Sequence, residues 1–444
     1  MLEPLYSAAE MKAAEAGHDV PALMERAGRA VAEEALRRFP DASSFGAVCG
    51  GGANGGDGRI ALEVLRAAGR RAEEGTTGEV LIDALFGTGF HGEPRADAAR
   101  LIDELNRADA PVVAIDLPSG VDADTGEVAG AAVRAALTVT MHGRKVGLEV
   151  APGRFHAGFV VVADIGLEDR DTHHRLVTRA VLDLVPRKRH EDTKYTAGAV
   201  LVVGGAPGMT GAVSLTAMAA FRADAGYVTV CAPRESLAVI ETRLLEAVKR
   251  PLDEAPEAVG RHDALALGPG LGRSDDRRAL VRRLLEETAL PAVVDADALF
   301  GLEPFEREGP TVLTPHEGEL GRLLGRESSW VAAHRLEAVQ EAASRFGCVC
   351  LLKGADVLIA APGRGVLVAA LGPPSLATAG TGDVLTGVIA AFLAKGMDAR
   401  LAAAAGAVAC DVAARLGPAR GLVASDVVGL LPKALEQAGA DGAV

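Results

Sequence analysis

Apolar positions along this chain fall into two alternating rhythms. Short apolar runs rich in Val, Ala, Leu and Ile have the length of buried strands. The stretches between them place apolar residues every three or four positions, the spacing of a helix that buries one face. Residues 21–38 read as such a helix, with Pro21 in its first turn and Leu23, Met24, Ala27, Val31 and Leu36 on one side. The first half then predicts strands at Gly46–Cys49, Val80–Ile82, Val112–Ile115, Ala136–Thr140 and Val160–Ala163, with helices over about 59–68 and 96–107. The second half predicts strands at Ala199–Val203, Tyr227–Cys231, Ala264–Leu267, Ala292–Val294, Thr311–Leu313 and Cys348–Leu352. It also predicts helices over 212–225, 275–287 and 330–345, and a hairpin of Val357–Ala360 with Gly365–Ala369. Strand, loop and helix repeat throughout, so the expected class is α/β with doubly wound, largely parallel sheets. The charged, uneven stretch 167–194 reads as a linker plus the entry to a second domain, giving domains at 1–168 and 175–440.

The loops after the strands carry the candidate chemistry. The first strand runs into Gly50-Gly51-Gly52-Ala53-Asn54-Gly55-Gly56-Asp57-Gly58, and six glycines in nine residues are many for a plain turn. Strand, glycine-rich turn and helix form a layout that holds phosphates or dinucleotides. Later strands end at Asp83 and at Asp116-Leu117-Pro118-Ser119-Gly120. Loops at the carboxyl ends of parallel strands line the binding crevice, so Asn54, Asp57, Asp83, Asp116 and Ser119 are expected to converge. Oxygen donors without a Cys or His cluster suit a hard cation rather than zinc. His91 reads as a solvent-facing loop residue.

In the second half, Ala377-Thr378-Ala379-Gly380-Thr381-Gly382-Asp383 leads straight into an apolar helical run. Free backbone N–H groups at such a helix start, with the helix dipole, favour negative charge. Asp383 then has two readings: a general base beside a bound phosphate, or a helix cap. His316 and Lys353 also sit at strand ends or helix starts, where a site is expected.

Composition narrows the class. The formal charge is −14 and the pI near 5.3, which gives no sign of a surface for nucleic acid or anionic membrane. No apolar run has membrane-spanning length, and the start MLEPLYSAAEMKAAEAG lacks the basic and apolar regions of a signal peptide. The five cysteines show neither metal spacing nor a disulfide framework, so a reducing cytoplasm is expected. Cys348 and Cys350 are expected on one face of a strand.

At this point the motifs become specific. GGGANGGDG, DALFGTGF, DLPSG and TVTMHGRKVGL occur in this order within residues 1–168 and resemble the NAD(P)H-hydrate epimerase (YjeF N-terminal) family. The resemblance implies a Rossmann-like domain that interconverts the R and S hydrates of NADH and NADPH with a bound potassium ion. It implies potassium at Asn54, Asp83 and Ser119. It implies hydrate contacts from Asn54, Gly55, Gly56, Asp57, Gly87, Thr88, Gly89, Phe90, His91, Gly92, Glu93 and Asp116, with Asp116 moving the proton. Two departures stand out. Ala53 replaces an asparagine, and the eleven residues 69–79 are too few for both a strand and a crossover helix. Either the sheet has lost an element here or its neighbours pair differently, and a shortened domain with a weaker epimerase activity is expected.

AGTGDVLTG, with GG-x-x-G-x-T-GA, GPGLG, TPHEGE and LLKGAD, resembles the NAD(P)H-hydrate dehydratase (YjeF C-terminal, carbohydrate-kinase-related) family over 175–440. The resemblance implies a ribokinase-like fold and a nucleotide, ADP with Mg2+, that phosphorylates the C6 hydroxyl of the S hydrate. It implies hydrate contacts from Ala212, Gly270, His316 and Asp383, with Asp383 as the base. It implies nucleotide contacts from Lys353, Gly354, Ala355, Asp356 and Val357 and from Ala379, Gly380, Thr381 and Gly382. The expected partners are NADHX, NADPHX and ADP in a homo-oligomer. A sugar or vitamin kinase would share the Gly-Thr-Gly-Asp loop, and a non-catalytic first domain is the other alternative.

Overall fold

A computed structural model describes residues 2–369 and 372–437; residues 438–440, the end of the expected second domain, lie outside the described residues. The chain divides into two compact units. One is Pro4–Leu176 with Ala332–Leu336, and the other holds the first few residues, Val177–Val331 and the described chain from Glu337 on.

The first part of the chain runs β1 (Leu2–Tyr6), α1 (Ala8–Glu15), α2 (Val20–Arg38), β2 (Ser44–Cys49), α3 (Ala53–Ala67), β3 (Arg71–Glu74), β4 (Val80–Ala84), α4 (Ala96–Arg107), β5 (Val112–Ile115), β6 (Leu137–Met141), β7 (Arg144–Lys145) and β8 (Phe159–Ala163). Six of these strands form one parallel sheet in the order β3-β2-β4-β5-β6-β8. One face packs under α2 and α3 through Leu23, Val31, Leu62, Leu65, Ile82 and Ile115. The other packs under α4 through Val48, Leu81, Ile102 and Leu105. The chain leaves β2 for β3 on one side and returns to β4 on the other. The carboxyl ends of β2 and β4 therefore flank a topological switch point, where such sheets open a crevice.

The short 69–79 connection resolves in an unexpected way. The strand is present as β3, paired in parallel with β2 (Ser44 opposite Arg71), and the crossover helix is gone. Residues 75–79 alone carry the chain from β3 to β4 by passing across β2. Gly75 N–H donates to Ala47 O at 2.8 Å and Glu79 N–H to Ser44 O at 3.0 Å. This close strap needs Gly46: a Cβ there would sit 2.5 Å from Thr77 O and 2.8 Å from Gly75 O. Gly46→Val is therefore expected to overpack this crossing, at a cost of about 1–3 kcal/mol or more. Thermal unfolding of the full chain checks this; an unchanged first transition would mean the strap yields freely.

The second part runs β9 (His174–Val177), β10 (Ala199–Val203), α5 (Thr210–Arg222), β11 (Tyr227–Ala232), α6 (Arg234–Arg243), β12 (Val248–Pro251), α7 (Ala255–Ala258), β13 (Ala264–Leu267), α8 (Asp275–Glu286), β14 (Ala292–Val294) and β15 (Thr311–Leu313). It continues through α9 (Glu317–Leu324), α10 (Ser328–Ala333), α11 (Arg335–Phe346), β16 (Val349–Leu352), β17 (Val357–Ala360), β18 (Leu367–Ala369), α12 (Thr381–Ala394), α13 (Ala399–Leu416) and α14 (Ala424–Glu436). The strands lie in the order β12-β11-β10-β13-β14-β15-β16-β17-β18, parallel up to β16 and antiparallel after it. Every residue of α12 from Val384 to Leu393 is buried, as a helix apolar all round must be. It packs with α5, α13 and the sheet in the main core.

Three expectations need correction. The helix expected from Arg59 begins at Ala53, so most of the glycine-rich stretch is helical. The helix expected over 330–345 is two, separated at His334. Cys348 sits one residue before its strand, while Cys350 is fully buried in it.

Candidate active sites

In the first unit the candidate residues form two clusters, and Asn54, Asp57 and Asp116 line one cavity of about 880 Å³. The first cluster is Asn54, Asp83 and Ser119, all buried; Asp83 and Ser119 do not belong to the cavity lining. Asp83 accepts from Ser119 N at 2.7 Å, from Ser119 Oγ at 2.6 Å and from Leu85 N at 3.3 Å. Ser119 Oγ accepts in turn from Phe86 N at 3.0 Å, and Asn54 Nδ2 donates to Phe86 O at 2.8 Å. Burial pushes the Asp83 carboxyl up to about 6 against the hydrogen bonds from Ser119 and Leu85.

The second cluster is built on Asp116, directly after β5. Its φ of +65° is rare for a residue with a side chain. Asp116 Oδ1 accepts from Lys145 Nζ at 2.5 Å, Thr140 Oγ1 at 3.1 Å and Met141 N at 3.2 Å. Lys145 is fully buried and also donates to Thr140 Oγ1 at 3.0 Å and Met141 O at 2.8 Å. Pairing of Tyr6 in β1 with Lys145 in β7 sets the backbone position of that lysine. Asp57 lines the same cavity, and its carboxyl is pushed up to about 8 by burial, then by the charges of Asp116 and Glu15. Glu15, at the end of α1, was not singled out in the sequence. It lines the cavity too, with its own carboxyl raised by burial and by Asp116.

The glycine-rich stretch divides by role. Gly50, Gly51, Gly52 and Ala53 line the cavity at the start of α3, where free N–H groups gather. Gly55 and Gly56, expected to face a ligand, instead seat the helix: a Cβ at Gly55 would lie 1.9 Å from Gly50 O, and one at Gly56 would lie 2.6 Å from Met24 Sδ. From the Gly87–Glu93 loop, Gly87, Thr88, Gly89, Phe90, His91 and Glu93 line the cavity, while Gly92 does not. Phe90 stacks on Phe86 with ring centroids 4.6 Å apart. His91 is exposed, and its Nδ1 lies 2.7 Å from Asp122 Oδ2.

In the second unit, α12 starts at Gly380 in the left-handed region (φ +92°) and carries Asp383 in its first turn. The cap residue is a glycine and offers no side chain, and among the described residues no side chain accepts from the amides of the Gly380–Gly382 turn. Lys353, directly after β16, donates to Asp295 Oδ1 at 2.7 Å and stands 3.8 Å from Glu319 Oε2. Asp295, directly after β14, also accepts from Thr386 Oγ1 at 2.8 Å. A Cβ on Gly382 would lie 3.4 Å from Lys353 Nζ, so the ammonium sits beside the glycine turn. Burial pushes the Asp383 carboxyl up to about 7; Asp295 and Asp297 add to this and Lys353 opposes it. Burial works against the Lys353 charge, yet Asp295, Glu319 and Asp383 hold its pKa above the ordinary value.

The other expected residues are only partly assembled. Gly270 and Ala212 meet: a Cβ on Gly270 would lie 3.4 Å from Ala212 Cβ. His316 caps α9, its Nδ1 accepting from Gly318 N at 3.0 Å and Glu319 N at 3.3 Å, with the ring half-exposed. Thr381 Oγ1 donates to Leu376 O and Thr378 O, tying down its own loop. Asp356 is fully buried, and Gly354 and Ala355 are exposed. Asp295, Asp297, Glu319 and Thr386 were not assigned from the sequence. An acid directly after a strand, the signal that marked Asp116, was also present at Asp295.

The family model described as NAD(P)H-hydrate dehydratase matches residues 200–436, more than half of the chain. The model of the YjeF-related protein N-terminus matches 20–74 and 70–147, two stretches that overlap at β3, directly before the strap. The bifunctional NAD(P)H-hydrate repair enzyme Nnr of Coxiella burnetii is 36% identical over 442 residues, covering 89% of this chain and 90% of its own. The chain belongs to the family of bifunctional NAD(P)H-hydrate repair enzymes. The Nnr of Moorella thermoacetica is 41% identical over 353 residues, covering 74% of this chain and 67% of its own. The Escherichia coli Nnr is 32% identical, covering 87% and 83%. Among solved structures, the ADP/ATP-dependent NAD(P)H-hydrate dehydratase of Bacillus subtilis, co-crystallised with ATP and Mg2+, matches with a TM-score of 0.55 and 28% identity. It covers 59% of this chain and 97% of its own. A ribokinase-like superfamily protein of Enterococcus faecalis matches with a TM-score of 0.53 and 22% identity, covering 61% of this chain and 98% of its own, so the second unit has the ribokinase-like fold. Among the described residues, no helix is long and apolar enough to cross a membrane.

Proposed function

We propose that this chain repairs hydrated nicotinamide nucleotides at both sites. The first unit epimerises the R and S hydrates of NADH and NADPH. The second uses ADP or ATP to dehydrate the S hydrate. The observation that carries the reading is the meeting of Asp383, Lys353 and the Gly380–Gly382 turn at the start of α12. Asp383 takes the proton of the C6 hydroxyl, whose oxygen attacks the terminal phosphorus of the nucleotide. With ADP, AMP leaves. The Gly380–Gly382 amides and the Lys353 ammonium hold the transferred phosphoryl group. The ring nitrogen then expels phosphate from C6, and loss of a C5 proton restores the dihydronicotinamide ring. Mg2+ belongs here with the bound nucleotide, as in the Bacillus subtilis relative crystallised with ATP and Mg2+. Ala212, Gly270 and His316 bind the hydrate. Lys353–Val357 and Ala379–Gly382 bind the nucleotide, Gly354 to Val357 through backbone.

The first unit fits a potassium ion by the chemistry of its donors. Asp83 is a buried carboxylate with no cationic side chain among the partners that hold it. Asn54 and Ser119 add neutral oxygens beside it. Bound there, potassium would supply fixed positive charge that keeps Asp83 ionised. Asp116 moves the proton at the hydrate. R-hydrate consumption in the presence of ADP is expected to be slower than S-hydrate consumption and to be stimulated by potassium over sodium. R hydrate lost no faster than it epimerises spontaneously would remove the epimerase assignment and leave a binding role.

The two activities are assigned to separately folding domains, 1–168 and 175–440, although the first compact unit runs to Leu176 and takes in Ala332–Leu336. A fragment starting near Thr172 is expected to dehydrate S hydrate by itself; an insoluble or inactive fragment would mean the halves share a core. Five free thiols suit the cytoplasmic setting read from the sequence.

A further inference from the structure

Two carboxyls face the epimerase cavity in opposite electrostatic settings. Asp116 is anchored through one oxygen only: Lys145, Thr140 and Met141 all donate to Oδ1, and among the described residues none donates to Oδ2. The Lys145 ammonium stands 2.5 Å from Oδ1, a cation directly beside this carboxyl. Asp57 lies on the first turns of α3, lines the same cavity, and has no basic partner among the described residues. Its charged neighbours are acids from two other elements, Asp116 after β5 and Glu15 at the end of α1. Two carboxyls on one cavity, one beside an ammonium and the other beside acids only, are placed as a base and an acid.

We propose that Asp57 is the catalytic acid of the epimerase half and Asp116 its base, with Glu15 holding the proton on Asp57. The inference rests on the epimerase reading above and deepens it. The balance closes without any further reactant. Asp116 Oδ2 takes the proton of the C6 hydroxyl, and the oxygen electrons form the C6 carbonyl. The N1–C6 bond breaks, its electron pair goes to N1, and N1 takes the proton of Asp57. Rotation about the bond to C6 presents the other face of the carbonyl. N1 attacks that face, its proton returns to Asp57, and Asp116 returns a proton to the oxygen. Both carboxyls regain their starting states. The carboxyl of Asp57, raised to about 8, is protonated at neutral pH, as this role requires.

The test uses the full-length protein with R-NADHX and excess ADP across pH, subtracting spontaneous epimerisation. S-NADHX consumption in the same preparation provides the normalisation. Wild type is expected to show a bell-shaped profile with an alkaline limb near pH 8. Asp57→Asn is expected to lose about 10²–10⁴-fold in rate together with that limb. Asp57→Glu should restore part of both, which a merely structural role would not produce. Glu15→Gln removes a negative neighbour and is expected to move the alkaline limb to lower pH. That readout decides the matter even if Asp57→Asn fails to fold. An Asp57→Asn enzyme that keeps its rate and its alkaline limb, or a limb unmoved in Glu15→Gln, overturns the assignment while the epimerase reading stands. A wild type no faster than the spontaneous reaction removes both.

Discussion

Asp383→Asn is expected to abolish nucleotide-dependent dehydration, lowering the rate by about 10²–10⁴-fold while nucleotide affinity stays within a few-fold. The groups proposed to hold the phosphate, Lys353 and the Gly380–Gly382 turn, are untouched by the change, and only the proposed proton acceptor is lost. The same residue sets a pH dependence. Its carboxyl titrates near 7, and the base form is the ionised one, so wild-type dehydration should rise through pH 7 and level off above it. A second, opposite consequence follows for stability. A group whose folded pKa lies above its unfolded value contributes stability that is full below the unfolded value and lost as pH rises through the folded one. At pH 8 the wild type bears the whole cost of an ionised, enclosed carboxylate and the asparagine variant does not. The inactive variant should therefore unfold at a higher temperature than wild type at pH 8, and the difference should shrink toward pH 4. Near-normal turnover, or a variant less stable at pH 8, would mean that Asp383 is a structural cap rather than a base.

Lys145→Met should damage the first unit in two ways at once. Lys145 is fully buried, with its Nζ spent on Asp116, Thr140 and Met141. Removing one partner of a buried ion pair typically costs about 3–5 kcal/mol, because the other charge is left uncompensated. Asp116 then loses the ammonium that anchors and compensates it, and its capacity to take the hydroxyl proton is expected to fall. Urea unfolding should show the stability loss, and R-hydrate turnover should fall by about 10²-fold or more. S-hydrate turnover should persist, since Asp383 and Lys353 are untouched. Unchanged stability together with unchanged R-hydrate turnover would show that the Lys145–Asp116 contact matters to neither.

Much of this protein was legible in the chain. The strands Val112–Ile115, Ala199–Val203, Ala264–Leu267, Ala292–Val294 and Thr311–Leu313 coincide with their sequence assignments, because fully buried parallel strands are continuous apolar runs with clear ends. Residues directly after such strands, Asp116 and Lys353 among them, were readable for the same reason: parallel topology sends every strand end toward one crevice. The Gly380–Asp383 turn was readable because its consequence, free amides at a helix start, is local.

Long-range proximity decided the rest. Helix α3 begins six residues early because Gly55 and Gly56 let it press against Gly50 and Met24, and no local preference of glycine forecasts that. The strap at residues 75–79 is possible only because Gly46, some thirty positions earlier, leaves room for it. The partners of Lys145, Lys353 and Asp57 (Asp116, Asp295 and Glu15) come from strand ends and helices remote in the chain. Which carboxyl is charged and which keeps its proton depends on those neighbours and on burial. Residue type sets the chemistry available at a strand end, and only packing sets its charge state.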